Sequence, residues 1–212
     1  MSDVVLAAAA ARADTAGRAR DALQDQAARG ATTSVGMIVA LSALGMTFAA
    51  LLLAYAIVRV QSPAWPPPGE APLPPLWGWR VLATAASVAG SVAMAWAARR
   101  ARAGRDVRGW LLAAAGSGLA FLAAQAAALA ALERAGIGPS AGLAASVVYA
   151  LCSFHALHVV AALLTLIALG PLWRGAGVTG RGPAPARVNA VAAFWHLVTA
   201  VWCVLFLGVF VS

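Results

Sequence analysis

Five long stretches without a charged residue constrain this chain more than any other feature. A helix needs roughly 20 apolar residues, within a range of about 17–25, to cross the hydrocarbon core of a membrane. Lipid offers no hydrogen-bond partner to an open backbone, so each stretch must be a helix. The sequence therefore predicts an all-α integral membrane bundle of five transmembrane helices within residues 35–212, with spans at about 35–58, 81–98, 109–132, 143–170 and 188–211.

The composition supports the same class of protein. Apolar residues make up 62% of the chain and charged residues only 10%, whereas soluble domains are near half apolar and a quarter charged. This balance excludes a soluble single domain, and it also excludes intrinsic disorder, which requires low hydropathy and high charge. The net charge of +8 would suggest nucleic acid in a soluble protein. In a membrane protein it is a topology signal, and we expect no nucleic-acid partner.

The basic residues predict the orientation. All fifteen are arginines. Twelve of them lie in residues 1–34, in the loop between the second and third spans, and in the loop between the fourth and fifth spans; Arg59, Arg80 and Arg134 lie on the other side. The positive-inside rule places the N-terminus in the cytoplasm and the C-terminus in the periplasm or outside. Residues 1–34 mix arginine with aspartate and are predicted to form a partly helical or flexible cytoplasmic arm.

All three histidines fall inside the last two spans, where polar groups are costly. His155 and His158 are three residues apart and share a helix face, and His196 is in the fifth span. They could ligate a metal or a haem, but no Asp or Glu lies inside any span and no metal-binding spacing is present. A role as hydrogen-bonded packing residues is favoured. We identify no catalytic, cofactor-binding or metal-binding residue in the chain itself.

Other polar residues in the spans form stripes at helical spacing. Thr84, Ser87 and Ser91 share one face of the second span. A second stripe follows the fifth span, through Asn189, His196, Thr199 and Cys203. We expect these stripes to face other helices, with the opposite faces in lipid.

Two segments in the last two spans resemble a known family. Phe154–Val159 (Phe-His-Ala-Leu-His-Val) resembles the Phe-His-x-Leu-His-Val signature of subunit III of the haem-copper oxidases. Trp195–Val198 (Trp-His-Leu-Val), with Trp202 after it, is similar to that family's Trp-His-x-Val-Asp-x-x-Trp pattern. The first and third spans add Phe48, Tyr55 and Arg59 at matching intervals, and Phe121, Leu122 and Gln125. The resemblance covers about residues 35–211.

The resemblance implies a function and a set of partners. The chain resembles the short five-helix bacterial form of cytochrome c oxidase subunit III. That protein is a subunit of an oxidoreductase complex, and the subunit has no catalytic centre of its own. Such a subunit packs against and stabilises the haem-copper catalytic subunit, supports proton uptake in aerobic respiratory electron transport, and binds phospholipid. Haem and copper belong to the partner catalytic subunit. The implied location is the bacterial inner (plasma) membrane.

The resemblance also singles out candidate site residues. We expect an interhelical polar network of His155, His158, His196, Gln125 and Trp195, with Trp202, Phe154, Tyr55 and Arg59 as further family-motif residues. Three carboxylates of the family pattern are missing, because their positions hold Leu44, Ala128 and Thr199. Two alternative functions stay open at this point. One is a subunit III-like partner of a nitric oxide reductase, and the other is an autonomous haem-binding electron carrier.

Overall fold

The computed structural model describes residue 17 and residues 36–74, 76–169 and 184–211. These residues contain five helices that are long and apolar enough to cross a membrane, and they contain no strand. The prediction of an all-α, multi-pass membrane protein is thereby confirmed. The helices are α1 (Gly36–Gln61), α2 (Trp77–Arg102), α3 (Arg108–Arg134), α4 (Leu143–Ile167) and α5 (Ala184–Leu205), which continues as a π-helix over Phe206–Val211.

The chain divides into two compact units, Met1–Ala43 and Leu44–Ser212. In the first unit, the described residues from position 36 onward form the first turns of α1, where Ile38 and Val39 are more than 60% exposed. The predicted arm, residues 1–34, lies outside the described residues apart from Gly17. Its structure and its boundary therefore stay predictions.

Each predicted span overlaps one helix, and the second differs most in length. The sequence predicts a helix over residues 81–98, whereas α2 runs from Trp77 to Arg102. Three arginines lie in its last turn, where positive charge complements the helix dipole. The guanidinium of Arg99 lies 5.3 Å from the centroid of the Trp96 ring. Long basic side chains can run along apolar surface and keep their charge in water. For this reason, the helix can continue beyond the end of the uncharged stretch.

Within the second unit, α2 to α5 form a ring of four packed helices. α2 packs on α3, α3 on α4, α4 on α5, and α5 returns to α2. One cluster of buried apolar side chains includes Met94, Leu111 and Leu166, and another includes Phe121 and Trp202. The part of α1 from Leu44 onward packs on this ring through side chains such as Phe48 and Tyr55. The ring thus positions the polar side chains described next.

Candidate functional site

A line of polar contacts joins α2 to α5, and we call it the polar seam. Trp202 Nε1 donates a 3.0 Å hydrogen bond to Thr84 Oγ1. Ser87 Oγ donates to Thr199 Oγ1 at 3.2 Å, and Ser91 Oγ lies 2.6 Å from His196 Nδ1. At the far end, Arg102 donates a 3.0 Å bond to Asn189 Oδ1. The residue numbers rise along α2 as they fall along α5, so the two helices are antiparallel.

The environment of the seam changes along its length. Ser87 and Thr199 are each only 8% exposed. One turn further, Ser91 is half-buried and His196 is exposed. The two stripes predicted to face protein therefore face each other, and the pair formed by His196 is at the outer edge of the contact.

His155 lies in an aromatic cluster and has no hydrogen bond. The residue is fully buried, and neither ring nitrogen has a partner among the described residues. The centroids of Phe48, Phe121 and Trp202 lie 5.9, 5.4 and 5.3 Å from that of its ring. His155 thus acts in packing, and the structure does not include it in the interhelical hydrogen bonds.

The ring of His158, unlike that of His155, makes a hydrogen bond, and the partner is in its own helix. Its Nδ1 lies 2.7 Å from the carbonyl oxygen of Phe154, one turn earlier on α4. The ring contacts Phe48 and Phe154, with centroids 5.1 and 4.7 Å away. The structure therefore gives His158 a place in the α1–α4 contact and does not place its hydrogen bond between helices.

Gln125 belongs to a second buried polar group. It is 5% exposed, and it lies near Cys152 on α4, which is also buried. The two residues line a small cavity of about 10 Å³ together with Arg80, which is itself buried. Gln125 therefore lies at the contact between α3 and α4, and its place in an interhelical polar network stays a prediction.

The indole of Trp195 packs into the space left by two glycines, and no sequence pattern had indicated either of them. A Cβ atom on Gly90 would lie 2.8 Å from Trp195 Nε1 and 2.5 Å from Ser117 Oγ. A Cβ on Gly118 would lie 3.1 Å from Trp195 Cη2. All three distances are too short for an unstrained contact, so the lack of a side chain at Gly90 on α2 and at Gly118 on α3 makes room for the indole of Trp195 on α5.

Tyr55 and Arg59 meet at the end of α1. Arg59 Nη1 donates to Tyr55 Oη at 2.5 Å, and its guanidinium lies 5.9 Å from the ring centroids of both Tyr55 and Trp65. Trp65 packs edge-on against Tyr55 at 5.6 Å. These contacts tie the loop after α1 back to the helix.

Glu70 makes a further contact that sequence reasoning missed. Its carboxylate accepts hydrogen bonds from the backbone N–H groups of Leu143 at 2.7 Å and Ala144 at 3.0 Å. The first N–H groups of a helix have no partner within the helix and favour negative charge. Glu70 therefore caps α4 from the loop between α1 and α2. No local sequence signal pairs positions 73 residues apart.

An apolar groove of about 380 Å³ lies between the C-terminal half of α1 and the N-terminal half of α4. Its floor and walls are almost entirely hydrocarbon. The residues that line it are Thr47, Leu51, Ala54, Tyr55, Val58, Val147, Ala150, Leu151 and Phe154. The lining of this groove suits an acyl chain.

The three positions that lack the family's carboxylates are all buried. Leu44 is 8% exposed and packs in the apolar cluster with Phe48. Ala128 lines the small cavity beside Arg80. Thr199 uses its hydroxyl group to bond Ser87. At each of these three positions, the side chain is therefore uncharged and lies inside the bundle.

No group of three or more His, Cys, Asp or Glu side chains close enough to hold a metal ion occurs within the part of the chain that the structure describes. His155 and His158, which the sequence suggested as possible ligands, are instead engaged with aromatic rings and a backbone carbonyl. The geometry defines a multi-pass membrane protein whose intramembrane polar groups mainly hold helices together.

Comparison with known proteins gives the family. Residues 19–212 match the sequence model of the family described as cytochrome c oxidase subunit III, and the chain belongs to this family. It is 33% identical over 177 residues to "Cytochrome c oxidase subunit 3" of Synechocystis sp., covering 82% of this chain and 73% of that protein. It is 29% identical over 178 residues to the protein of the same name from Thermostichus vulcanus, covering 81% and 83%.

Family membership confirms the interpretation as a subunit III of a haem-copper oxidase. The two alternatives, a partner of a nitric oxide reductase and an autonomous haem-binding carrier, are not favoured. The family lacks a metal centre of its own, which agrees with a bundle whose histidines serve packing and hydrogen bonding.

Proposed function

We propose that the chain is a non-catalytic subunit that packs against and stabilises the haem-copper catalytic subunit of an oxidase in a bacterial plasma membrane. The observation that carries this proposal is the polar seam. The polar groups of α2 and α5 are bonded to each other in four pairs, so they hold the bundle together. A rigid bundle of this kind is suited to a supporting role beside a catalytic subunit.

Support of proton uptake is indirect in this proposal. Every Asp and Glu of the chain lies in the arm, in a loop or at the edge of a span. Proton relays in membranes normally include carboxylates, and this bundle replaces three of the family's carboxylates with Leu44, Ala128 and Thr199. The chain would therefore support uptake by keeping the catalytic subunit in its active form.

Affinity purification from the native membrane in mild detergent tests the proposal. A tag on the chain should recover a haem-copper catalytic subunit, identified by peptide mass spectrometry, together with a haem spectrum. The colour should leave the sample when the complex is dissociated. A chain that is recovered alone and keeps a Soret band would contradict the proposal. It would instead favour the histidines as haem ligands.

We also propose that the groove between α1 and α4 holds an acyl chain of a phospholipid. Its lining is apolar, and the groove runs toward the end of α1 where Arg59 and Trp65 lie. A guanidinium and an indole at the membrane interface suit a lipid headgroup. Phospholipid that stays bound through detergent purification would support this assignment.

For orientation, we propose a cytoplasmic N-terminus. Five arginines cluster at the connection between α2 and α3, at positions 99, 100, 102, 105 and 108, whereas Arg134 is the one arginine near the opposite connection, between α3 and α4. Cysteine introduced as Ser140→Cys should react with an impermeant maleimide in intact spheroplasts, and Arg105→Cys should react only after lysis. The reverse pattern would overturn the orientation.

A further inference from the structure

His196 is exposed near the middle of an apolar segment that is long enough to cross a membrane. It lies eleven residues after the start and thirteen before the end of the apolar segment Pro185–Val209. Its partner Ser91 lies at a similar depth, fourteen residues into α2 and eleven before its end. The next pair of the seam, Ser87 and Thr199, is buried, whereas the imidazole of His196 is on the outside of the bundle.

The second nitrogen of this imidazole needs a partner that lipid does not supply. Nδ1 contacts Ser91 Oγ, and Nε2 has no hydrogen bond to any residue that the structure describes. An exposed hydroxyl group in a helix, such as that of Ser153, can bond a carbonyl of the preceding turn, so it needs no partner outside the helix. Nε2 is a second hydrogen-bonding atom of the ring, separated from Nδ1 by Cε1, and hydrocarbon offers it no partner. Intramembrane histidines almost always face protein or water.

The surface around His196 allows a helix to approach closely. Ala193 and Ala200, about one turn before and after it on α5, are exposed. On α2, Val88 is 43% and Val92 is 50% exposed. Small side chains beside a polar group are typical of helix–helix contacts within membranes. We call this surface the outer α2–α5 face, and it comprises Val88, Val92, Ala193, His196 and Ala200.

We infer that the outer α2–α5 face is the surface on which a transmembrane helix of the catalytic subunit packs, with one of its polar side chains hydrogen-bonded to Nε2 of His196. This inference rests on the proposed function, because it names the surface through which the subunit supports its partner. By contrast, the exposed side chains at the middle of α4 include Leu157, which is 62% exposed and is suited to lipid.

Site-specific photocrosslinking in native membranes tests the inference. Benzoylphenylalanine replaces Val92 in one tagged version of the full chain and Leu157 in a matched control. After irradiation, the Val92 version should give an adduct with the catalytic subunit, and the Leu157 version should give none. An adduct from Leu157 alone, or an adduct between Val92 and a second copy of this chain or an unrelated protein, would overturn the inference.

The same samples separate this inference from the proposed function. If the unmodified tagged chain recovers the catalytic subunit but Val92 gives no adduct with it, the proposed function stands and the docking surface is wrong. If the catalytic subunit is not recovered with the unmodified chain, both fail.

A pair of substitutions tests the role of the imidazole itself. His196→Leu removes the group offered to the partner and also the bond to Ser91, whereas Ser91→Ala removes only the internal bond. We expect His196→Leu to lower the fraction of catalytic subunit retained after detergent washing by about threefold relative to Ser91→Ala, the effect of one average intramembrane hydrogen bond. Equal retention in the two variants would overturn the role of His196 in docking.

Discussion

The hydroxyl groups of Ser87 and Thr199 are 3.2 Å apart, although 112 positions separate the two residues in the chain. Thr199 also lies 3.3 Å from the carbonyl oxygen of Ser87, to which its hydroxyl group donates. Both side chains are buried. Thr199 occupies the position of an Asp in the family pattern, and here a neutral hydroxyl pair joins the two helices where a charge would otherwise have to be accommodated.

Thr199→Val should destabilise the bundle modestly. It removes two hydrogen bonds of the pair, and such bonds in membranes average about 0.6 kcal/mol with a maximum near 1.7. Unfolding in mixed micelles titrated with SDS measures the change. Thr165→Val is the matched control, because Thr165 bonds only the carbonyl of Ala162 in its own helix at 2.6 Å. Equal effects of the two substitutions would show that the interhelical pair adds nothing.

Gly90→Ala should destabilise the bundle more strongly than the hydroxyl substitution. The added Cβ would meet Ser117 Oγ and Trp195 Nε1 at 2.5 and 2.8 Å, and overpacking of this kind costs about 2 kcal/mol. Thermal unfolding in detergent and the tryptophan emission spectrum report the change. Gly116→Ala is the control, since nothing lies within 4 Å of its Cβ. A Gly90→Ala protein as stable as the control would show that packing of the Trp195 indole does not require a glycine at position 90.

Glu70→Gln should loosen the loop between α1 and α2. One amide oxygen replaces two carboxylate oxygens that accept from Leu143 and Ala144, and the negative charge at the helix N-terminus is lost. The expected cost is about 1 kcal/mol. Limited proteolysis within residues 62–74 should become faster. Glu133→Gln removes an exposed carboxylate near the end of α3, and it should leave the proteolysis rate unchanged.

His155→Leu should leave stability unchanged or raise it. Both ring nitrogens of His155 are buried without partners, and an unsatisfied buried polar group costs about 1–3 kcal/mol. A leucine of similar size keeps the contacts with Phe121 and Trp202. Thermal unfolding in detergent is the measurement, and His158→Leu, which loses the bond to Phe154, is the comparison. A large loss of stability in His155→Leu would reveal a partner for the imidazole in the assembled protein.

Ala150→Trp should expel lipid from the groove. Ala150 lines the cavity between α1 and α4, and an indole there would occupy much of its volume. The purified variant should carry less phospholipid per chain by mass spectrometry. Leu53→Trp is the control, because Leu53 is 62% exposed and outside the groove. Equal phospholipid content in both variants would place the lipid elsewhere.

The fold was predictable from the sequence because one property dominates it. Uncharged stretches of sufficient length leave the chain no alternative to helices in lipid, and the five helices follow from that. The helix ends were harder to predict, since residues such as Arg99 continue α2 beyond its apolar stretch. Their long side chains reach water from within the helix, and a count of uncharged residues does not register this.

The site was predictable only where the signal repeats at helical spacing. The stripes of α2 and α5 meet as expected, because Thr84, Ser87 and Ser91 share one face of a helix. The histidine pair of α4 shared a face too, but its surroundings turned out to be aromatic and backbone groups. The packing of Trp195 against Gly90 and Gly118, and the capping of α4 by Glu70, depend on residues far apart in the chain. Residue spacing within one helix contains no information about such contacts.

The polar seam has a consequence for the order in which the protein can assemble. α2 is made early, yet Ser87 and Ser91 find their partners only in α5, more than a hundred residues later. Until the last helix has been synthesised, α2 is a weakly apolar segment whose serine hydroxyl groups lack these interhelical partners. Its stability in the membrane then depends on packing against its early neighbour α3. The final helix therefore completes the bundle, and a chain truncated before it should be recognised by quality-control proteases as unfinished.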